Sequence, residues 1–450
     1  MRFLLVKPAQ KHLKGKIVLL GDKSIANRSV IISAISQGKT TIKNFPTSKD
    51  CLYTIKAFKK LGIKIIQNLT SQQYKNARTI TVFGKGFYGL KKAKSPIFVG
   101  DSGTTLRLTL GVLAGQNFAV TLRGGKSLSQ RPMLRVTAPL RMMGAKINSK
   151  LKTQNSKLEE YSPITIRGGN LKPITYRLPL ASAQVKSAIL FAGLYTKGTT
   201  RVIEPVKTRD HTERILRLFK ADIKVKQNKI VIKGNKELVS PGRIFIPGDI
   251  SSASFFIVLA TILSGSRILV KNVNLNPRRI GIIRVLKRMG ADIRVMVDSS
   301  GAKSYEPTGN IFVSSSSLKG TVVNKEEIPS LVDELPILMV AACYARGKTI
   351  FEGVGELRVK ETDRIMSMSC NLRKMGAQIK VLKTAKSEKI VVEGGRDLKG
   401  AAVKSFGDHR TAMSMVIAAL GAQGNTKIDN IICINKSFPN FLSLLKTLIH

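Results

Sequence analysis

One short pattern recurs six times along the 450 residues, and it restricts the available folds more than any other feature. A small residue, a glycine, a polar residue and a β-former follow one another around Gly38, Gly115, Gly198, Gly265, Gly347 and Gly424, at intervals of 67 to 83 residues. Each copy follows an apolar stretch with helical spacing and opens a strand-like run. Each glycine is therefore predicted to end a helix and turn into a strand. A second pattern interleaves with the first, as FKKLGIKI from Phe58, LRMMGAKI from Leu140, LRLFKADIKV from Leu216, LKRMGADIRV from Leu286 and LRKMGAQIKV from Leu372. Here too a helix ends at a glycine, replaced by Lys220 in the third copy. The sixth unit has only a terminal helix, Phe441 to Ile449, in this place. Units this long hold two helices and several strands, which argues for six globular βα-rich units rather than a solenoid. A chain of 450 residues also exceeds one ordinary core and implies two or three domains.

Composition narrows the classes. With 43% hydrophobic and 23% charged residues the chain reads as soluble and globular. Its longest apolar run, Phe255 to Leu263, falls well short of the roughly 18 residues a membrane span needs, so a cytoplasmic location without membrane contact is expected. Cys51, Cys343, Cys370 and Cys433 are scattered with no CxxC pair. That spacing indicates neither a zinc site nor a disulfide framework, and buried free thiols are expected. The net charge of +49 raises nucleic acid as a partner. The lysines, however, run along the whole chain, and neither a zinc finger nor an aromatic RNA-binding signature accompanies them. Small anionic substrates are the expected partners, not nucleic acid.

Several motifs carry chemistry. The run Arg358 to Arg364 puts three cations and two acids ahead of an apolar stripe, Ile365, Met368, Leu372 and Met375, that stops at Gly376. This places the cluster on the first turn of an amphipathic helix, either as a solvated face or as an anion site. Gly21 to Arg28 enters another helix, where Lys23, Ser24 and Arg28 can converge on one oxyanion, although Ser24 also suits an ordinary N-cap. Gly100 to Arg107 is a glycine-rich loop into a helix, neither a Walker loop nor GxGxxG. Arg131 precedes Pro132, which biases it to an extended backbone. Ala181 to Ser187 heads a helix with short polar donors. His211 stands beside carboxylates and suits either a proton carrier or a hydrogen-bonded structural histidine. Asp249 reads as a helix cap. Asp333 and Glu334 are flanked by apolar residues, so at least one is expected to be partly desolvated, with a raised pKa suited to a base. Gly407 to Arg410 and Lys436 complete the set. Were these helix ends to share one cleft, it would bind several anions and perform acid–base chemistry at carbon, with no metal or cofactor.

The ordered motifs GDKSIANRS, GDSGTTLR, SQRP, ASAQVKSA, TRDHTE, PGDISSA, VDELP, RVKETDR, DHR and NKSFP resemble one family along the whole chain, the 3-phosphoshikimate 1-carboxyvinyltransferases or EPSP synthases. The resemblance implies an α/β fold of two globular domains, each of three βαβαββ units in an inverse α/β barrel arrangement, with substrates in the interdomain cleft. It implies a discontinuous domain of residues 1–20 and 248–450 and a second of residues 21–247. The implied reaction moves the enolpyruvyl group of phosphoenolpyruvate to the 5-hydroxyl of shikimate 3-phosphate, with Asp333, Glu361 and Lys23 catalytic. Phosphoenolpyruvate contacts would be Lys23, Gly103, Arg131, Arg364, Arg410 and Lys436. Shikimate 3-phosphate contacts would be Ser24, Arg28, Ser182, Ala183, Gln184, Arg209, Asp333 and Lys360. Asp363 and Arg358 are assigned to capping and local pairing, and a monomer is expected. Asp101 departs from the asparagine of many members, and an N-cap pointing away from ligand is one role for it. The alternatives are the sister transferase acting on UDP-N-acetylglucosamine, which usually carries a reactive cysteine in the region of Gly100 to Arg131, and a basic repeat scaffold for nucleic acid.

Overall fold

The computed structural model describes residues 3–69, 78–154, 157–298, 305–384 and 387–449. The chain forms two compact units, residues 1–19 with 247–450 and residues 20–246, so that it passes from one to the other at Leu19–Leu20 and at Ile246–Pro247.

Each unit carries three small sheets; among the described residues five of the six are four-stranded and built to one plan, and the one that holds Leu4–Val6 has three strands. In the second sheet of residues 20–246 the edge strand Ile97–Phe98 runs parallel to Ala119–Arg123, which pairs antiparallel with Lys157–Arg167, which in turn pairs antiparallel with Lys146–Gln154. The helices Gly103–Leu113 and Leu134–Met142 fall between these strands in sequence, giving the predicted βαβαββ order. The third sheet repeats the plan from Thr175–Arg177 to Lys229–Lys233. In the first sheet the parallel edge, Arg243–Phe245, comes from the far end of the unit and lies beside Gln37–Phe45, closing the set of three. The other unit does the same with the chain's beginning: Lys14–Val18 is the parallel edge beside Arg267–Asn274, and Leu4–Val6 pairs antiparallel with Thr426–Ile428. Leu13 bridges Ile449, which explains why the first residues belong with the last ones.

Helices fill the middle of each unit. Ile250–Ile262, Leu335–Tyr344 and His409–Leu420 pack on one another and are buried on nearly every side, as helices apolar all round must be. Lys23–Ala34, Gly103–Leu113 and Ala183–Gly193 occupy the same place in residues 20–246. The remaining helices are amphipathic. Gly281–Arg288 buries Ile282, Ile283, Val285 and Leu286 and exposes Arg284 and Arg288. The terminal helix is shorter than its apolar pattern suggests, Phe441–Lys446, and Phe441 packs edge-on or tilted against Phe255, Phe256 and Phe438 at centroid distances of 5.8, 5.7 and 5.6 Å.

The second glycine pattern works by backbone conformation. Gly62, Gly144, Gly290 and Gly376 follow their helices with φ between 84° and 110°, and Lys220 adopts φ 65° at the equivalent place. Gly115 is present for another reason, since a Cβ there would lie 2.1 Å from the ring of Tyr195. Among the described residues no helix is long and apolar enough to cross a membrane. Cys51, Cys343 and Cys433 are buried free thiols and Cys370 is half-buried.

Candidate active site

The charged motifs gather into one cluster on each unit. On residues 20–246 the helix Lys23–Ala34 starts from Asp22, whose carboxylate accepts the amide of Ile25 at 3.0 Å. Asp22 is therefore the cap, and the N-cap expectation for Ser24 is corrected. Ser24 is half-buried on the first turn, and Lys23 Nζ pairs with Asp50 at 2.9 Å. Arg28, one turn on and only 3% exposed, donates from Nε to Thr212 Oγ1 at 2.7 Å and from Nη2 to Ser187 Oγ at 3.0 Å.

Ser102 caps the helix Gly103–Leu113 and Ser182 caps Ala183–Gly193. Arg107 Nη1 donates to Gln184 Oε1 at 2.6 Å, and Gln184 Nε2 donates to Thr104 Oγ1 at 2.9 Å, which fixes the orientation of the amide. Ser182, Ala183 and Arg209 are half-buried. Arg131 has the extended backbone that Pro132 predicts, φ −96° and ψ 135°, and a Cβ at Gly103 would lie 3.0 Å from its Nη1. Absence of a side chain at Gly103 therefore leaves room for that guanidinium. The capping role for Asp101 is corrected as well. Its Oδ1 accepts the amides of Ser127 and Leu128 at 3.1 and 3.2 Å, tying down the turn that leads to Arg131.

On the other unit the run Arg358 to Arg364 does not ride on the first turn of one helix. Gly353 is left-handed, Val354–Val359 form a 3-10 turn, Lys360 is extended, and Asp363 caps a separate helix, Arg364–Lys374, by accepting the amide of Met366 at 3.0 Å. Only Arg364 is on the first turn. The stripe Ile365, Met368, Leu372 and Met375 is buried as predicted, and Gly376 ends it. Arg358 pairs with Glu388 and Asp363, and Lys360 Nζ lies 3.3 Å from Glu356.

Arg364 is the centre of this cluster. It is 1% exposed, and it donates to Asp408 at 2.9 Å, to Glu361 at 2.7 Å and to Asp333 at 3.4 Å. Burial alone works to lower its pKa, but Asp408, Glu361 and Asp333 outweigh it and hold the guanidinium more firmly charged than an ordinary arginine. Asp408 is buried too. Burial works to raise its pKa, yet Arg364 and His409 pull it below the usual carboxylate range. Asp408 also caps the helix His409–Leu420 through the amides of Arg410 and Thr411.

Arg410 Nη1 donates to the carbonyl of Asp333 at 2.9 Å, and its Nη2 lies 3.8 Å from the Asp333 carboxylate. The apolar flanks of Asp333 and Glu334 do desolvate one acid, but it is Glu334, at 0% exposure, which receives the Ser251 hydroxyl and lies 3.9 Å from Arg410. The Asp333 side chain keeps 22% exposure. Lys436 Nζ donates to the carbonyl of Gly407 at 3.4 Å. Asp249 caps Ile250–Ile262, as predicted, and pairs with Arg279 at 3.3 Å. His211 is 1% exposed at the start of the helix His211–Leu218.

The helix ends differ between the units. On residues 20–246 two of the three central helices are capped by serine, which satisfies an amide without adding negative charge, so their ends still attract anions. On the other unit Asp249 and Asp408 cap two of the three, each held by an arginine. The residues that sequence reasoning missed are supporting ones. Asp50 carries no local signal, and Thr104, Ser187 and Thr212 lie inside GDSGTTLR, ASAQVKSA and TRDHTE, where nothing local gives them a role of their own. Asp408 stands in GDHR, where an acid just before an apolar helix is an N-cap signature.

The chain matches the EPSP synthase (3-phosphoshikimate 1-carboxyvinyltransferase) family over residues 7–445. A 3-phosphoshikimate 1-carboxyvinyltransferase from Desulforamulus reducens is 44% identical over 446 residues, covering 99% of each chain. One from Pelotomaculum thermopropionicum is 45% identical over 97% of this chain and 96% of that one. The solved EPSP synthase from Acinetobacter baumannii superposes with TM-score 0.82 at 40% identity, covering 99% of this chain and 97% of its own. The enolpyruvyl transferase NikO from Streptomyces tendae, at 17% identity and TM-score 0.72 over 99% and 97% of the two chains, shares the fold. The chain belongs to the EPSP synthase family, with its two units of three βαβαββ repeats forming the inverse α/β barrel pattern.

Proposed function

We propose that the chain transfers the enolpyruvyl group of phosphoenolpyruvate to the 5-hydroxyl of shikimate 3-phosphate and releases phosphate. The observation that carries the assignment of roles is the attachment of Asp333 and Glu361 to one buried guanidinium, Arg364. Two carboxylates fixed on a common cation can handle two protons at neighbouring carbon and oxygen atoms without drifting apart.

In this reading Glu361 delivers a proton to the methylene carbon, which makes the central carbon electrophilic. Asp333 takes the proton of the 5-hydroxyl as its oxygen bonds to that carbon. The tetrahedral intermediate then breaks its bond to the phosphate oxygen and returns a methyl proton to Glu361, while the proton held by Asp333 passes to the departing phosphate, so atoms and charge balance. Lys23 assists this proton transfer and binds the departing phosphate. Gly103, Arg131, Arg364, Arg410 and Lys436 complete the donor contacts. Arg364 already holds three carboxylates, and Asp333, the most distant at 3.4 Å, is the one to yield to a donor carboxylate. Ser24, Arg28, Ser182, the backbone of Ala183, Gln184, Arg209, Asp333 and Lys360 are the contacts assigned to the acceptor. The serine-capped helix ends suit its dianionic phosphate. We take the enzyme to be a cytoplasmic monomer, in keeping with its four free thiols.

Phosphate release is the test. It should require both substrates together, and its absence with a folded protein would refute the assignment. Light scattering of the purified protein checks the monomer.

A further inference from the structure

Lys186 is a fully buried cation that the reaction above does not use. It lies on the helix Ala183–Gly193 at 0% exposure, with Nζ 2.7 Å from Glu213 and 3.1 Å from Glu204, both nearly as buried. Burial alone would lower its pKa, but Glu213 and Glu204 more than offset this and hold the ammonium charged. Among the three groups lie one positive and two negative charges, a costly arrangement for a core, where apolar residues of similar size usually serve as well.

The triad joins three segments. Glu204 follows the strand Thr199–Ile203, and its carboxylate accepts both the amide, at 3.1 Å, and the hydroxyl of Thr208, which sets the backbone entering Arg209. Glu213 belongs to the helix His211–Leu218, next to Thr212. Lys186 is next to Ser187. Two adjacent rungs thus link these helices: Lys186 with Glu213, and Ser187 Oγ with Thr212 Oγ1 at 2.6 Å.

The second rung has a direction. Ser187 donates its one hydroxyl proton to the carbonyl of Ala183 at 2.6 Å, so it accepts from Arg28 Nη2 and from Thr212. Thr212, its proton committed to Ser187, accepts from Arg28 Nε at 2.7 Å. Donors therefore run from Arg28 through Thr212 and Ser187 to the backbone of Ala183, and each bond polarises the next.

We propose that Lys186, with Glu204 and Glu213, positions the acceptor-binding residues, holding the two helices at the spacing that aims Arg28 and fixing the backbone entering Arg209. This inference rests on the proposed acceptor, shikimate 3-phosphate. Lys186 touches no reacting atom in it and acts through Arg28 and Arg209.

The test is calorimetric binding of shikimate 3-phosphate to the intact protein, with steady-state kinetics beside it. Turnover by the unaltered protein is measured first, so that failure of the functional assignment is seen separately. Lys186→Met alone strands two buried acids and is a folding risk. The variant Lys186→Met, Glu204→Gln, Glu213→Gln removes all three charges at constant volume, and Glu204→Gln keeps the Lys186–Glu213 pair as a milder second case. The neutral triad is expected to weaken shikimate 3-phosphate binding and raise its KM about tenfold, with the KM for phosphoenolpyruvate unchanged. Glu204→Gln should move both acceptor values the same way by less. Acceptor binding within about twofold of the parent in either folded variant, or an equal rise in both KM values, would overturn the proposal.

Discussion

Arg364 Nε and Asp408 Oδ2 are 2.9 Å apart, and both side chains are almost wholly out of solvent, at 1% and 0% exposure. The same Asp408 caps the helix that carries Arg410, so one carboxylate sets both guanidiniums beside Asp333. Asp408→Asn keeps the cap and most of the volume but leaves Arg364 short of one charge. Breaking a buried pair of this kind costs about 3–5 kcal/mol. Urea unfolding at neutral pH should show that loss.

The same pair gives a pH signature. The folded pKa of Asp408 is depressed below its ordinary 3.8, so its contribution is complete above that value and is lost as pH falls through the lower folded one. Melting temperature should therefore drop more steeply for the parent than for Asp408→Asn in the acid window below about pH 4.

Asp101 holds the turn before Arg131 by accepting two backbone amides. Asp101→Ala removes both bonds, and at roughly 1 kcal/mol each should raise the KM for phosphoenolpyruvate by up to about thirtyfold while acceptor binding stays unchanged. Asp101→Asn keeps an accepting oxygen and should stay close to the parent. Parallel KM measurements for the two substrates distinguish the cases.

Lys220 takes the left-handed backbone that glycine takes in four sibling units. Relieving it should stabilise the protein, and Lys220→Gly is expected to gain about 1 kcal/mol in chemical unfolding. No gain would mean that contacts of the lysine side chain offset the strain.

Burial pushes the thiols of Cys51 and Cys343 up to about 12 and that of Cys433 up to about 11. At pH 8 these three stay protonated and shielded. A thiol reagent should first modify half-buried Cys370, and react with the others only on unfolding.

Much of the fold was legible because repetition is written in turn chemistry. The glycines at Gly62, Gly144, Gly290 and Gly376 mark left-handed helix ends, and they kept their meaning even where Lys220 replaced one. The apolar stripe from Ile365 to Met375 named a buried face directly. What the sequence hid were distant partnerships. Nothing near Arg28 points to Thr212, 184 residues away, and nothing near Arg364 points to Asp408. Spacing also misplaced the cluster from Arg358 to Asp363. Helical periodicity extends backward without limit on paper, while Asp363 starts the helix where its carboxylate reaches the amide of Met366. The apolar flanks of Asp333 and Glu334 signalled a desolvated acid without telling which of two neighbours turns inward.

Phosphate release from shikimate 3-phosphate and phosphoenolpyruvate, measured side by side for the parent, Asp333→Asn and Glu361→Gln, tests the central claim most directly. The expected result is turnover by the parent that needs both substrates, and loss of turnover in both variants while calorimetry still detects substrate binding. A folded parent that releases no phosphate, or a Glu361→Gln protein that turns over at the parental rate, would contradict it.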